Sequence, residues 1–397
     1  MTSRPRRTSV WLDGLGEWSW PGQGGAAAAE VQLPPPWVPA FPPRLERATA
    51  PPTVAGGRAR RALIAALLTS LVIVCGALAL QGRLGVEHLL GVSTAPPPER
   101  FLSLQSRLAS EAPPLPALRN LSSDSAGSSI DTATYSSTVL HHEGSFYVYL
   151  PPGYATTSHH YPVLYLLDGN SQSATAFLEI GLQEEMDQLI ARHVIPPMIA
   201  VMIQGGPGAN NWRNIDGLHY ESYILEAQDL IDRMLPTIPD RNARAIAGDS
   251  MGGYGAMNAT LSSPYRFGVV ESWIGFFNGL EGKLHSDRAI FSRLGLRAFL
   301  YGGEADHIAD PAEDPSFAAD LRANGVRAKG VIYPGGHTME TLQAHLGSML
   351  AFAGHALREG EERIAGQAAA ASKAKASKAK ASRGDVSHGA KGKTPAG

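Results

Sequence analysis

Short apolar runs alternate with amphipathic stretches through the middle of the chain. Apolar runs typical of strands buried on both faces of a sheet lie at 161–167, 198–203, 243–247, 267–273, 298–301 and 328–333. Helical spacing of apolar residues is found between and after them, at 176–192, 220–235, 251–262, 317–324 and 338–357. Two β-rich runs, 137–140 and 144–150, come first and predict a hairpin. The alternation predicts an α/β domain over 134–360, with a mostly parallel central sheet and helices on both faces.

A separate apolar run, 62–80, contains no charged side chain. At about 1.5 Å rise per residue, such a run spans the hydrocarbon layer of a membrane as one helix. Arg58, Arg60 and Arg61 precede it, so the positive-inside rule predicts a cytoplasmic N-terminus and an extracytoplasmic C-terminal part. We therefore expect a single-pass signal anchor in the cell membrane. Cleavage and secretion is the second interpretation, because 77–79 has a small-x-small form.

The remaining segments are rich in Pro, Ala, Ser or Lys. Their composition predicts a disordered cytoplasmic leader over 1–61, a Pro/Ser-rich stalk over 81–133, and an Ala/Lys-rich disordered tail over 361–397. The tail is basic, with six lysines and Arg383 against one aspartate from residue 366 onward. One interpretation is contact with an anionic polymer of the cell envelope, and the other is a solvated tail.

The overall composition limits which partners, metals and cofactors we expect. The net charge of −2 does not indicate a nucleic-acid partner. Cys75 is the single cysteine, so an internal disulfide and a cysteine-based metal cluster are excluded. The histidines are scattered without the spacing of metal ligands. We expect neither a metal nor a cofactor.

The segment Gly248-Asp249-Ser250-Met251-Gly252 fits the pattern G-x-S-x-G. It follows the predicted strand 243–247 and precedes the predicted helix 251–262, as a nucleophile elbow requires. Glycines on both sides allow the turn to close, and the start of the helix favours a developing oxyanion. The sequence therefore predicts Ser250 as a nucleophile.

A serine nucleophile needs a base and an acid that orients the base. In α/β hydrolases the chain order is Ser, then Asp or Glu, then His. Of the histidines after Ser250, His337 follows a strand directly and lies in a Gly-rich loop, so we predict it as the base. The strand ending near 301 leads into a loop that contains Glu304 and Asp306, and both are candidates for the acid; Asp310 is a weaker candidate.

Two backbone N–H groups should face the oxyanion. One belongs to the residue after the nucleophile, Met251. The other belongs to the loop after an earlier strand, where Asp168-Gly169-Asn170 follows 161–167. Asn170 is therefore the second predicted donor.

With these motifs in order, the chain resembles the esterase family of α/β hydrolases that includes enterochelin esterases, feruloyl esterases, S-formylglutathione hydrolase and the antigen 85 mycolyltransferases. The resemblance covers about 136–357, and its motifs lie at 161–169, 247–256, 302–306 and 334–337. It implies an α/β-hydrolase fold, Ser250 as nucleophile, His337 as base and Asp306, rather than Glu304, as acid. It also implies Met251 and Asn170 as oxyanion donors.

The function that follows is a membrane-anchored extracytoplasmic serine esterase, which hydrolyses a small-molecule or lipid or sugar ester through an acyl-enzyme. The alternative is an acyltransferase of the antigen 85 type acting on cell-envelope lipid or sugar, because Asp168-Gly169 resembles the form in that group. A catalytically silent binding domain is the third interpretation. The intact set of Ser250, Asp306 and His337 argues against it.

Overall fold

A computed structural model describes residues 114–215 and 217–388. The predicted leader 1–61, the predicted anchor 62–80 and the first part of the predicted stalk lie outside these ranges. Within them, none of the helices combines the length and the apolar character needed to cross a membrane.

Most strands of the described chain join one nine-stranded sheet, and two more form a small ribbon. In chain order the strands are β1 (Arg119–Ser123), β2 (Ser129–Ser136), β3 (Glu143–Leu150), β4 (Val163–Leu167), β5 (Ile199–Ile203), β6 (Asn214–Ile215), β7 (Leu218–His219), β8 (Arg244–Gly248), β9 (Val269–Trp273), β10 (Arg297–Gly303) and β11 (Arg327–Tyr333). The sheet order is β1-β2-β3-β5-β4-β8-β9-β10-β11, and β6 pairs only with β7. Strands β1 to β3 are antiparallel and β3 is antiparallel to β5, whereas the six strands from β5 to β11 in that order are parallel. The predicted mostly parallel sheet is confirmed.

Helices connect the parallel strands. They are α1 (Ala176–Glu179), α2 (Leu182–Ala191), α3 (Tyr220–Met234), α4 (Met251–Ser262), α5 (Glu281–Ser286), α6 (Arg288–Leu294), α7 (Glu313–Ala323) and α8 (Met339–His388). Two 3₁₀ turns lie at Tyr154–Thr156 and Arg241–Ala243. The single helix predicted over 176–192 is two helices in the structure. Gly181 separates them at φ 90°, a conformation that other residues adopt only with strain.

Side chains of the parallel strands alternate between two hydrophobic cores. Val163, Tyr165 and Leu167 of β4 enter one core, and Leu164 and Leu166 enter the other. Helices α3, α4 and α7 cover the first core, and α1, α2 and α8 cover the second. Burial on both faces explains why these strands are continuous apolar runs in the sequence. It also places helices on both faces of the sheet, as predicted.

The N-terminal edge of the sheet differs from the sequence expectation. The run 137–140, predicted as a strand, is the turn between β2 and β3. Strands β1 and β2 instead lie largely inside the predicted stalk 81–133. All five residues of β1 are exposed, so no apolar pattern marks it. Half of the residues of β2 are Ser or Thr, some of them buried and some exposed. Because these side chains are polar, the sequence of β2 does not show the apolar pattern of a strand.

The C-terminal segment also differs. Helix α8 continues to His388, so much of the segment 361–397, predicted as a disordered tail, is helical. Alanine and lysine are strong helix formers, and no proline interrupts them before His388. Composition of this kind favours a helix even where no core is available to bury it.

Candidate active site

Ser250 lies in the sharp turn between β8 and α4. Its backbone has φ 51° and ψ −115°, a conformation that is uncommon for a residue with a side chain. Its N–H donates to the Trp273 carbonyl of the neighbouring strand over 2.8 Å. A Cβ at Gly252 would lie 1.9 Å from the Leu167 carbonyl oxygen, and a Cβ at Gly248 would lie 2.4 Å from the carbonyl carbon of Gly252. Only glycines allow so tight a turn, and the turn holds Ser250 at the start of α4.

Three loops at the carboxyl edge of the sheet bring Ser250, His337 and Asp306 together. His337 Nε2 is 2.7 Å from Ser250 Oγ, and His337 Nδ1 is 2.7 Å from Asp306 Oδ2. These residues follow β8, β11 and β10. Since an ionised carboxylate only accepts hydrogen bonds, we assign the proton of the neutral imidazole to Nδ1. His337 Nε2 then accepts from the Ser250 hydroxyl, which is the arrangement that a general base requires.

Asp306 is buried and tightly held. Its Oδ1 accepts the N–H groups of Ile308 and Ala309 over 2.8 and 2.9 Å. Burial acts to raise the pKa of Asp306, but the hydrogen bonds from His337 and the two amides outweigh it, so the pKa lies below its ordinary value. The group is therefore ionised at neutral pH. Of the two stronger candidates for the acid, the structure brings Asp306 to His337. Glu304 is exposed, and its side chain forms no hydrogen bond with any described residue.

The two predicted oxyanion donors have free N–H groups. Met251 is the first residue of α4, and Asn170 is exposed in the loop after β4. Within the described residues, neither backbone N–H has an acceptor. The start of α4 carries the positive end of the helix dipole, so Met251 N–H lies in a field that favours an anion.

Two buried carboxyl groups next to the site were not singled out as site residues from sequence. Asp249 precedes Ser250 and is fully buried, and burial raises its pKa to about 6 although Gln172 donates a hydrogen bond to it. Asp168 is the first residue of the loop after β4 and accepts the Gly205 N–H over 3.2 Å, and burial raises its pKa to about 8. A charged residue directly after a buried apolar strand is the sequence signal that marks both.

Comparison with known proteins gives a family match over the same region. The model of the Esterase family, described as "Putative esterase", matches residues 137–353. Over 200 residues the chain is 30% identical to an endo-1,4-β-xylanase/feruloyl esterase of Xylanibacter ruminicola, covering 47% of this chain and 26% of that protein. Over 145 residues it is 28% identical to the uncharacterized protein YbbA of Bacillus subtilis, and this match covers 33% of this chain and 56% of that protein. The chain thus spans about a quarter and about half the length of these curated relatives.

A solved ferulic acid esterase is similar in structure. It has a TM-score of 0.53 and 25% sequence identity, and the match covers 58% of this chain and 98% of that chain. Together with the parallel sheet, the helices on both faces and the turn at Ser250, this similarity identifies the fold as that of an α/β hydrolase.

Proposed function

The chain belongs to the Esterase family, and we propose that it hydrolyses a carboxylic ester with Ser250 as the nucleophile. The observation that carries the proposal is the unbroken series of hydrogen bonds from Ser250 Oγ through His337 to Asp306, with 2.7 Å at each step. A serine hydroxyl is a weak nucleophile unless a positioned base takes its proton. The three side chains of this relay lie at one edge of the sheet. The N–H groups of Asn170 and Met251 follow β4 and β8 at the same edge and have no acceptor among the described residues.

In the acylation step, Ser250 Oγ attacks the carbonyl carbon of the ester while His337 Nε2 takes its proton. Asp306, ionised and hydrogen-bonded to Nδ1, stabilises the imidazolium that forms. The N–H groups of Met251 and Asn170 donate to the oxyanion of the tetrahedral intermediate. The bond from carbon to the alcohol oxygen then breaks, and the leaving alcohol takes the proton from Nε2. The product is an acyl-enzyme on Ser250.

In the deacylation step, water attacks the acyl-enzyme and gives a proton to His337 Nε2. Collapse of the second tetrahedral intermediate releases the carboxylic acid, and Ser250 regains its proton. Transfer to an acceptor alcohol, as in antigen 85 mycolyltransferases, differs only in the group that attacks. The ratio of free acid to transferred ester, measured with a sugar acceptor added, distinguishes the two. We expect free acid to predominate.

The substrate class that we test first is an aromatic acyl ester. Two similar proteins are named feruloyl or ferulic acid esterases. Tyr254 lies one helical turn after Ser250, and its ring stacks on that of the half-buried Phe276 at 4.9 Å and 25°. Tyr254 itself is buried, so a planar acyl group would stack on the exposed part of Phe276. We therefore propose hydroxycinnamate esters, such as methyl ferulate, ahead of purely aliphatic ones.

We further propose that the domain lies outside the cytoplasm, anchored by 62–80. The support is the uncharged apolar run and the arginines that precede it. Extraction of membranes with alkaline carbonate should leave the chain in the membrane fraction. Release of the chain into the soluble fraction, or protection of the domain from protease added outside intact cells, would contradict this location. Contact of the basic tail with an anionic envelope polymer belongs to the same proposal.

Replacement of the nucleophile tests the proposed activity. In the full chain, purified in mild detergent, Ser250→Ala should lower kcat for methyl ferulate and for p-nitrophenyl acetate by about 10⁴-fold or more. Ser286→Ala is the matched control, because Ser286 is exposed and its hydroxyl, among the described residues, donates to the Lys283 carbonyl alone. Its kcat should equal that of the unmodified chain. Hydrolysis that survives in Ser250→Ala would overturn the proposal.

A further inference from the structure

A side-chain hydrogen bond joins the two loops that carry the proposed oxyanion donors. Gln172 Nε2 donates to Asp249 Oδ2 over 2.9 Å, across 77 positions of sequence. Gln172 follows Asn170 by two residues, and Asp249 precedes Met251 by two residues. The bond therefore ties the loop after β4 to the turn that holds the nucleophile.

The surroundings of this bond restrict the position of Gln172. Its Oε1 accepts from the Gly169 N–H over 3.4 Å, and its own N–H donates to the Gly169 carbonyl over 3.3 Å. A Cβ at Gly169 would lie 2.6 Å from Asp249 Oδ2 and 2.9 Å from Gln172 Nε2. Only glycine leaves room for the bond. The amide of Gln172 is thus fixed relative to the peptide group that leads into Asn170.

The burial of Asp249 at this position lowers the stability of the fold. It is fully buried, and its Oδ1 has no hydrogen-bond partner among the described residues. Burying a carboxyl group with an unpaired oxygen destabilises a fold. The elbow itself requires small residues at Gly248 and Gly252, not an acid at 249. The interaction with the β4 loop accounts for the carboxylate, because a charged acceptor holds an amide more firmly than a neutral one.

The two donors differ in what else holds them. Met251 N–H is fixed by the first turn of α4. Asn170 is exposed, and Ser171 beside it has φ 62°, a strained value. The Trp212 indole donates to the Asp168 carbonyl over 3.0 Å and so holds the loop at its start. Between that point and α1, the Gln172 side chain makes the hydrogen bond that is seen, within the described part of the chain, between a side chain of this loop and the elbow.

We propose that Gln172 and Asp249 form a clamp that positions the Asn170 N–H beside the Met251 N–H, so that both donate to the same oxyanion. The inference rests on the proposed function. Both are positioning residues, since they act through Asn170. A donor that must be ordered during the reaction stabilises the transition state less than one already in place. Loss of the clamp should therefore lower kcat and leave KM nearly unchanged.

Gln172→Leu in the full chain tests the clamp, because leucine has a similar volume and no donor. We expect kcat for p-nitrophenyl acetate to fall by about 10- to 100-fold, with KM within about two-fold. Affinity for phenylboronic acid, whose serine adduct is tetrahedral and anionic, should fall by a similar factor. Rates are expressed per active site, counted by the end point of labelling with a fluorophosphonate, so that misfolded protein does not contribute.

Gln183→Leu is the matched control. Gln183 is partly buried on α2, and its side chain donates one hydrogen bond to Ser128 Oγ over 3.0 Å. The substitution is the same and also removes one side-chain bond, but we expect kcat within about two-fold of the unmodified chain. A loss of kcat in Gln183→Leu equal to that in Gln172→Leu would overturn the clamp.

Exchanging the donor and the acceptor of the Gln172–Asp249 hydrogen bond should restore part of the lost activity. Gln172→Glu sets two carboxylates against each other and should lower kcat at least as far as Gln172→Leu. The double variant Gln172→Glu/Asp249→Asn exchanges donor and acceptor, and it should recover about ten-fold of that loss. A kcat in Gln172→Leu equal to that of the unmodified chain, or a rise in KM alone, overturns only the clamp. Absence of ester hydrolysis by the unmodified chain would overturn the proposed function, and the clamp with it.

Discussion

The two edges of the parallel sheet are built in opposite ways. At the amino edge, arginine side chains donate several hydrogen bonds: Arg241 donates to three backbone carbonyls at 2.8 to 3.0 Å. Arg244 forms a salt bridge with Asp232 over 2.5 Å, although its buried Nε has no partner among the described residues. At the carboxyl edge, Asp168 and Asp249 are buried with one oxygen each lacking a partner among the described residues. The strained Ser250 lies at the same edge.

The difference separates stability from function. Paired groups at the amino edge stabilise the ends of the strands and the loops between them. Unpaired carboxyl groups and strained backbone cost stability, and folds retain them where they hold a site in its working geometry. Substitutions at the amino edge should therefore lower stability without lowering kcat, and substitutions at the carboxyl edge should do the reverse.

Asp306→Asn should give the largest effect and is the sharpest test at the carboxyl edge. The asparagine oxygen can still accept from the Ile308 and Ala309 N–H groups, but its Nδ2 faces His337 Nδ1. His337 then carries its proton on Nε2 and cannot accept from Ser250. We expect kcat to fall by about 10⁴-fold. Glu304→Gln, at the exposed carboxylate of the same loop, is the control and should leave kcat within about two-fold. Steady-state kinetics of both variants checks this assignment. A large loss of kcat in Glu304→Gln with little loss in Asp306→Asn would show that Glu304 is the acid.

Arg241→Met tests the amino edge. The substitution leaves the carbonyls of Pro264, Phe267 and Leu294 without this donor. We expect the free energy of unfolding to fall by about 3 kcal/mol, since each unpaired buried polar group costs about 1–3 kcal/mol before relaxation. The rate per active site should be unchanged. Urea unfolding combined with active-site titration measures both quantities, and a fall in kcat without a fall in stability would break the comparison between the edges.

Asp168→Asn should give the smallest effect, and its sign depends on pH. Burial raises the pKa of Asp168 to about 8, so the folded state holds its proton more tightly than the unfolded state. The stability of the unmodified chain should therefore fall, on account of this group, as pH rises from about 4 to about 8. Asparagine has no proton to lose and can still accept from Gly205 N–H. We expect Asp168→Asn to be more stable than the unmodified chain by about 1 kcal/mol at pH 8.

That advantage should shrink as the pH falls toward 4, close to the ordinary pKa of 3.8, because the carboxyl group is then protonated in the folded state and about half protonated in the unfolded state. Urea unfolding at pH 8, 6 and 4 gives the trend. If the difference in the free energy of unfolding were the same at all three pH values, the effect of the substitution would come from packing and not from the charge of Asp168.

The carboxyl edge was largely predictable from sequence because its elements have strong local signals. Helix α4 begins and ends where the spacing predicted, at Met251 and Ser262, because the glycines around Ser250 fix where the turn closes. Strand β4 is a run of five buried apolar residues. Chain order and loop position then pointed to His337. The acid depended on the family resemblance, because Glu304 and Asp306 share one loop and only their burial separates them.

The features that the sequence does not predict depend mainly on tertiary contacts. Strand β1 is exposed throughout and is held by its pairing with β2, so its own residues contain no burial pattern. Gln172 is one of several polar residues in the β4 loop, and its partner Asp249 is distant in the chain. Such a pair becomes visible only when the sheet brings the two loops together. The length of α8 differs from the prediction for another reason: low sequence complexity predicts disorder, whereas alanine and lysine also favour a helix.

The most direct measurement of the central claim is covalent labelling of the full chain with a fluorophosphonate, followed by intact mass and peptide mapping. Phosphonylation requires an activated serine hydroxyl and a leaving fluoride. We predict one adduct per chain, on the peptide that contains Ser250, with loss of ester hydrolysis in proportion to labelling. Ser250→Ala should take up no label. A stoichiometric adduct on another serine, or full hydrolysis by chains labelled at Ser250, would contradict the account.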